Sequence, residues 1–168
     1  TKDVTPQMRS GAKAVNFGIV YGISAFSLSQ DIGVTVAEAK DYMDRYFATY
    51  TGVHQYMEQV VETARQQEYV ETLLHRRRAL PELKSSNFNL RSFGERVARN
   101  MPIQGTAADI IKLAMVKVEK RLAAENLDAK LIMQVHDELI VEANENCAER
   151  AAEILKFEME NAAQLSVP

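Results

Sequence analysis

The sequence predicts a mainly helical α+β protein with an antiparallel β-hairpin toward its C-terminal end. Long segments place apolar side chains at helical spacing, and they begin or end at residues that commonly cap helices. Residues 131–142 instead form two short apolar runs around a polar turn, which is typical of a hairpin. The length of 168 residues suits one domain or two small subdomains with a buried core.

Four helices are predicted in the N-terminal half. Thr5 is a suitable N-cap, and Pro6 occupies the first helical position, where a proline is tolerated. Thr35 and Glu38 have the spacing of a capping box, and Gly52 is expected to break the chain between two helices. The predicted helices span residues 5–21, 25–31, 35–50 and 53–67.

The chain after residue 68 combines strands and helices. Strand-like composition at residues 69–73 predicts a first hairpin with residues 77–80, and the turn formers of residues 81–89 indicate a boundary. A helix is predicted from Ser92, with a kink or break at Pro102. A second helical stretch, a second hairpin and a last helix follow at residues 106–124, 131–142 and 148–162. The stretch 106–124 has an apolar stripe consisting of Ile111, Met115, Val118 and Leu122.

Composition limits the possible classes of protein. A hydrophobic content of 46% and a charged content of 26% fit a globular protein. No apolar run approaches the ~20 residues that a membrane span needs, so no membrane partner is expected. The single cysteine, Cys147, excludes an intrachain disulfide and favours a cytoplasmic protein.

The net charge of −3 conceals two oppositely charged segments. Residues 76–99 carry seven Lys and Arg against two acids, a net charge of +5. Residues 137–160 carry eight acids against two bases, a net charge of −6. A positive segment can hold a polyanion, although the charges by themselves favour two solvated faces.

Four residues of the first helix are spaced by four: Arg9, Lys13, Phe17 and Tyr21. Each step of four advances only about 40° around a helix, so the residues form one inclined stripe. Two cations one turn apart suit a phosphate chain, and the aromatic rings offer a surface for a base or a sugar. The alternative is an amphipathic helix whose aromatic residues lie in the core.

Gly18 and Gly22 stand beside these aromatic residues. Because glycine has no Cβ, the bare backbone would allow a bulky partner to approach closely. A core helix has little reason to combine two glycines, two aromatic residues and two cations, so the combination favours a binding surface.

A second set spaced by four consists of Arg96, Asn100 and Gln104. One guanidinium and two amides can reach acceptors in the minor groove of DNA, whose hydrogen-bonding pattern is degenerate between base pairs. The alternative is a solvated helix face, which the spacing alone favours.

The turn of the second hairpin contains His136, Asp137 and Glu138. Two carboxylates at the end of a hairpin suit Mg²⁺, which keeps much of its water and takes few protein ligands. Gln134 and His136 are two residues apart on a predicted strand and would therefore face the same way. The alternatives are a merely polar turn or a Zn²⁺ site at His136, which lacks a second His or Cys at a suitable spacing.

Three of these segments together resemble the motifs of the family A DNA polymerases. The segments are Arg9-x3-Lys13-x3-Phe17-Gly18-x2-Tyr21-Gly22, Gln104-Gly105-Thr106-Ala107-Ala108-Asp109 and Val135-His136-Asp137-Glu138. The resemblance implies that residues 1–90 form a fingers subdomain. It also implies that residues 91–168 form part of a palm subdomain, with an antiparallel β-hairpin.

The resemblance implies a role for each candidate residue. Arg9 and Lys13 would contact the phosphates of an incoming deoxynucleoside triphosphate, Phe17 its sugar and base, and Tyr21 the templating base. Lys13 is counted with Asp137 and Glu138 as catalytic. The residues implied to contact primer–template DNA are Arg96, Asn100 and Gln104, in the minor groove, and Gln134 and His136, near the primer terminus.

The same resemblance implies two Mg²⁺ ions. Asp137 would be a metal ligand and Glu138 a supporting acid, with the ions ~3.5–4 Å apart. A second bridging carboxylate is expected on an upstream strand, and Asp3, so close to the first helix, does not provide it. The chain is therefore expected to be a fragment of a bacterial, nucleoid-associated enzyme that cannot extend a primer alone. A primer-extension assay with Mg²⁺ and four nucleotides tests this expectation.

Two other functions stay open at this point. A metal-dependent phosphodiesterase or nuclease could use Asp137 and Glu138, but it would not need the stripe of the first helix. A non-catalytic module could bind DNA through residues 76–99. An ATPase is not expected, because the sequence contains no Walker-type phosphate loop. An isolated hairpin with an unpaired edge would also invite non-native self-association.

Overall fold

The computed structural model describes residues 3–166. Within these residues the chain is mainly helical, with two small antiparallel sheets, as the sequence predicts. The α-helices are α1 (Pro6–Val20), α2 (Ala25–Ile32), α3 (Val36–Thr49), α4 (Thr51–Gln67), α5 (Phe88–Ala124) and α6 (Ala148–Glu160). The strands are β1 (Tyr69–Glu71), β2 (Arg77–Ala79), β3 (Ala129–Val135) and β4 (Glu138–Ala143). None of the described helices is both long and apolar enough to cross a membrane.

The contacts within the chain define two compact units, Thr1–Ile103 and Gln104–Pro168. The boundary predicted near residue 90 therefore falls inside the first unit. The reason is that the first turns of α5 pack with the segment before them: Ala98 is fully buried in one cluster with Leu80 and Leu83. Whether the two units correspond to fingers and palm stays a prediction.

Helix ends in the first unit follow the capping signals. The Thr5 hydroxyl accepts a hydrogen bond from the Met8 N–H at 3.1 Å, which fixes the start of α1. Thr35 and Glu38 form both bonds of the predicted capping box. Gly52 lies within the first turn of α4 and does not break it, because the chain already bends at Tyr50. The buried cluster around α4 contains Val61, Ala64, Val70, Leu80, Leu83 and Ala98.

The second unit has its own core. The predicted apolar stripe is confirmed, since Ile111, Val118 and Leu122 are buried and Met115 packs against them. The cluster is completed by Ala114, Leu139, Ala151, Ile154 and Ala162. The β3–β4 hairpin and α6 are thereby fixed against the C-terminal part of α5.

The predicted break in α5 at Pro102 is wrong, whereas the alternative of a kink there stays a prediction. The helix begins at Phe88, because the Asn87 side chain accepts a hydrogen bond from the Asn89 N–H at 2.9 Å, and it continues through Pro102. A proline inside a helix removes one backbone donor and crowds the preceding turn. Here both flanks are anchored, with Ala98 in one core and Ile111 in the other, so the helix tolerates that loss.

Candidate functional site

The stripe of α1 is a surface and not part of a core. Arg9 and Lys13 are exposed, and the Phe17 and Tyr21 side chains keep 47% and 42% of their surface accessible. The two rings stack with centroids 6.3 Å apart and planes inclined by 17°, and the Lys13 ammonium lies 6.0 Å from the Phe17 centroid. Ile19, about 200° around the helix from Phe17, is buried and anchors the other side of α1. This arrangement argues against the alternative in which the aromatic residues are core residues.

Gly18, in the last turn of α1, and Gly22, just after the helix, are needed for the ending of the helix itself. The Ile23 N–H bonds to the Gly18 carbonyl and the Gly22 N–H to the Ile19 carbonyl, both at 2.9 Å, which is a Schellman ending. Gly22 accordingly has a positive φ of 77°. A Cβ on Gly18 would lie 3.1 Å from the Ile23 side chain. The expectation that this bare backbone awaits an external partner is therefore wrong, because side chains of the chain already fill the space.

A Cβ at Gly22 is predicted to destabilise the protein. Gly22→Ala should lower the free energy of unfolding by about 1–2 kcal/mol, the cost of a left-handed conformation for a residue with a side chain. Gly11→Ala is the matched control, because a Cβ there meets nothing within 4 Å and Gly11 lies inside α1. That change should stabilise by about 1 kcal/mol. Urea unfolding of both variants measures the free energy of unfolding. A change of equal size and the same sign in the two variants would contradict the prediction.

The basic segment 76–99 is partly neutralised within its own unit. The Arg77 guanidinium lies 3.1 Å from the Glu71 carboxylate, and Lys84 pairs with Glu68. Arg78, in contrast, is exposed and has no ion-pair partner within residues 3–166. The segment thus offers individual cations and not one uniform basic face, which weakens its use as a DNA-binding module by itself.

The α5 residues predicted to contact DNA differ in exposure. Arg96 and Gln104 are exposed, whereas Asn100 is partly buried. The Asn100 side-chain oxygen is shielded from solvent and accepts no hydrogen bond from the described residues. A shielded acceptor without a donor is costly, and because this oxygen has almost no accessible surface it does not by itself indicate a contact with a bound partner.

The β3–β4 hairpin has a two-residue turn. Val135 pairs directly with Glu138, which leaves His136 and Asp137 to form the turn. His136 adopts a positive φ of 55°, and the Gln134 side-chain N–H donates to the His136 carbonyl at 2.8 Å. The interpretation that Gln134 and His136 share one face of a strand is therefore wrong, since the strand ends at Val135.

The carboxylates of this turn suit a hard cation but do not complete a site for it. Asp137 and Glu138 are exposed, and neither forms an ion pair within the part of the chain that the structure describes. No group of three or more His, Cys, Asp or Glu side chains among residues 3–166 is arranged to hold a metal ion. An Mg²⁺ ion could take Asp137 as one ligand, with water and phosphate oxygens filling the other positions.

One charged cluster in the first unit is not predicted by the sequence patterns. Glu95 lies between two arginines, with Arg65 at 2.5 Å and Arg99 at 3.9 Å. Burial lowers the pKa of the Arg99 guanidinium, while the Glu95 charge acts to raise it. The spacing of four between Glu95 and Arg99 is a sequence signal for their pairing on a helix. The contact of Arg65 with Glu95 has no such signal, because it depends on tertiary structure.

Comparison with known proteins identifies the class. The sequence profile of DNA polymerase family A matches residues 1–168, and the chain therefore belongs to this family.

Relatives within the family are named DNA polymerase I. The chain is 55% identical over 167 residues to DNA polymerase I of Geobacillus stearothermophilus, and 54% identical over 166 residues to that of Bacillus subtilis. Each match covers 99% of this chain and 19% of the relative, so the chain spans about a fifth of their length.

A solved structure has the same fold. It is the POL domain of Pol1 from M. smegmatis in complex with DNA primer-template and dNTP, with a TM-score of 0.93 and 43% sequence identity. The match covers 99% of this chain and 30% of that one.

Proposed function

We propose that this chain supplies the nucleotide-contacting helix and one metal-binding carboxylate of a DNA-directed DNA polymerase. The observation that carries the proposal is the exposed stripe on α1, in which two cations precede two stacked rings. Membership of family A supports it, as does the DNA primer-template and dNTP bound to the M. smegmatis relative. A metal-dependent nuclease has no use for such a stripe.

In this proposal each end of the stripe recognises a different part of the nucleotide. Arg9 and Lys13 contact the triphosphate, with Arg providing a fork of donors and Lys a mobile point charge. Phe17 lies against the sugar and base of the incoming nucleotide. Tyr21, at the end of α1, lies near the templating base and restricts the geometry of the new pair.

Primer–template DNA is the proposed second partner. Arg96, Asn100 and Gln104 donate to acceptors in its minor groove, and the exposure of Arg96 and Gln104 supports this role. The exposed residues Gln134 and His136 contact the duplex near the primer terminus. These contacts are independent of base sequence, as an enzyme that copies every template requires.

The proposed cofactor is Mg²⁺, held in part by Asp137 with Glu138 as a supporting acid. When bound, such ions stabilise the attacking 3′ oxygen and the leaving pyrophosphate. This chain holds the Asp137 carboxylate on a tight turn, where a bound ion can keep its water and phosphate ligands.

Self-association and a nucleoid location complete the proposal. Ile132 and Met133 on β3 each keep about half of their residue surface exposed, at 51% and 52%. Exposed apolar side chains on a hairpin favour association between copies. Sedimentation at increasing concentration checks this, and a constant monomer mass would contradict it.

A location at the nucleoid follows from the proposed DNA substrate.

The test replaces the matching segment of Geobacillus stearothermophilus DNA polymerase I by this chain. The resulting chimera, here called the hybrid polymerase, should extend a primer when Mg²⁺ and four deoxynucleotides are present. A hybrid that folds but does not extend the primer would contradict the proposal. Degradation of labelled DNA by the 168-residue chain without nucleotides would favour the nuclease alternative.

A further inference from the structure

The C-terminal end of α1 lacks a cation of its own. A helix C-terminus carries partial negative charge from its last carbonyl groups, and a nearby cation stabilises it. The last turn of α1, however, contains no basic residue. Tyr21 follows directly as the C-cap, so whatever stabilises this helix end also affects that ring.

A cation of α5, Arg99, lies next to this helix end. The Arg99 Nη1 atom lies 3.4 Å from the position that a Cβ on Gly22 would take, and Arg99 Cδ lies 3.6 Å from it. The guanidinium therefore lies beside Gly22, on the side where a Cβ would project, together with the Arg96 side chain, whose Cγ is 3.6 Å from the same position. Its side chain is only 24% exposed, which strengthens its electrostatic interactions relative to those of a fully solvated cation.

Arg99 is held in place by a carboxylate and not by hydrogen bonds. Its Nη2 atom is 3.9 Å from the Glu95 carboxylate, too far for a hydrogen bond, and the guanidinium donates none within residues 3–166. Glu95 is in turn fixed by Arg65 at 2.5 Å. Two arginines share one carboxylate, so Glu95 neutralises the Arg99 charge only in part.

We infer that Arg99 is a positioning residue: its cation stabilises the end of α1 at Gly22 and thereby fixes the orientation of Tyr21. The structural part of this inference is independent of the proposed function. Its consequence for nucleotide selection rests on that function, because Tyr21 is there assigned to the geometry of the new base pair.

Amide hydrogen exchange on the 168-residue chain tests the structural part. Arg99→Met keeps the length of the side chain without its charge, and Arg99→Lys keeps a charge. The Gly22 and Ile23 amides should exchange about five-fold faster in Arg99→Met, the effect expected for a cation at a helix C-terminus. Arg99→Lys should restore most of the protection, and the control Arg78→Met should change nothing at these amides.

Two exchange results would overturn the inference. Unchanged exchange at Gly22 and Ile23 in Arg99→Met would show that Arg99 does not hold this helix end. Equal acceleration in Arg99→Met and Arg99→Lys would show that packing and not charge is responsible.

The hybrid polymerase tests the functional part. Arg99→Met should reduce the preference for the correct over a mismatched nucleotide by about five-fold, with Arg99→Lys restoring it. An unchanged preference in an active hybrid would overturn this part. If the unsubstituted hybrid does not extend a primer, the proposed function fails, and the exchange experiment still decides the role of Arg99.

Discussion

Asp137→Asn in the hybrid polymerase is expected to reduce the maximal rate of nucleotide insertion by about 10³-fold. Asn keeps the size of the side chain but loses the charge with which Asp137 is proposed to hold a divalent cation. Loss of about 4 kcal/mol of transition-state stabilisation, within the range of several kcal/mol for metal ions, corresponds to that factor. Single-turnover insertion at saturating nucleotide measures the effect.

Two neighbouring carboxylates provide the comparison for Asp137. Glu138→Gln should reduce the rate by only about tenfold, as expected for a supporting acid. Glu142→Gln is the matched control, because Glu142 is an exposed residue of the same strand, β4, away from the turn. An Asp137→Asn variant that keeps a tenth or more of the parental rate would contradict the metal assignment.

Lys13→Met is expected to reduce kcat/KM for the incoming nucleotide by about 100-fold. A charge-assisted hydrogen bond contributes about 1.5–3 kcal/mol, and the upper part of this range corresponds to that factor. Lys13→Arg should retain more activity, because it keeps the positive charge. Nucleotide-dependent insertion rates measure the effect, and the affinity for primer–template DNA should stay unchanged.

Lys120→Met is the control for Lys13. Lys120 is exposed, and no carboxylate pairs with it among residues 3–166. Its replacement should leave kcat/KM unchanged. Equal losses in the Lys13 and Lys120 variants would show that general charge and not the α1 stripe attracts the nucleotide.

Local signals predicted most of the helices. Thr5 and Pro6 define the start of α1, and Thr35 with Glu38 define the start of α3, because a cap depends on residues three or four positions apart. The start of α5 was missed because its cap, Asn87, lies among turn formers that favoured a connection. The break at Pro102 was overestimated, since propensity does not include the burial of both flanks.

The residues of the candidate site were predictable from spacing, but their surroundings were not. Arg9, Lys13, Phe17 and Tyr21 form the predicted exposed stripe, because helical periodicity alone brings them together. The packing of Arg99 against Gly22 joins residues far apart in the chain, and no local pattern encodes it. His136 does not continue the strand of Gln134, because it adopts a positive φ of 55° in the turn, which the spacing of two residues does not encode.

Insertion opposite each of the four template bases is the most direct test of the central claim, that this chain takes part in template-directed DNA synthesis. The hybrid polymerase should add the complementary nucleotide to the primer opposite every base, and Lys13→Met should raise the nucleotide concentration needed in all four cases. Insertion that ignores the template base, or cleavage of the primer in place of extension, would contradict it.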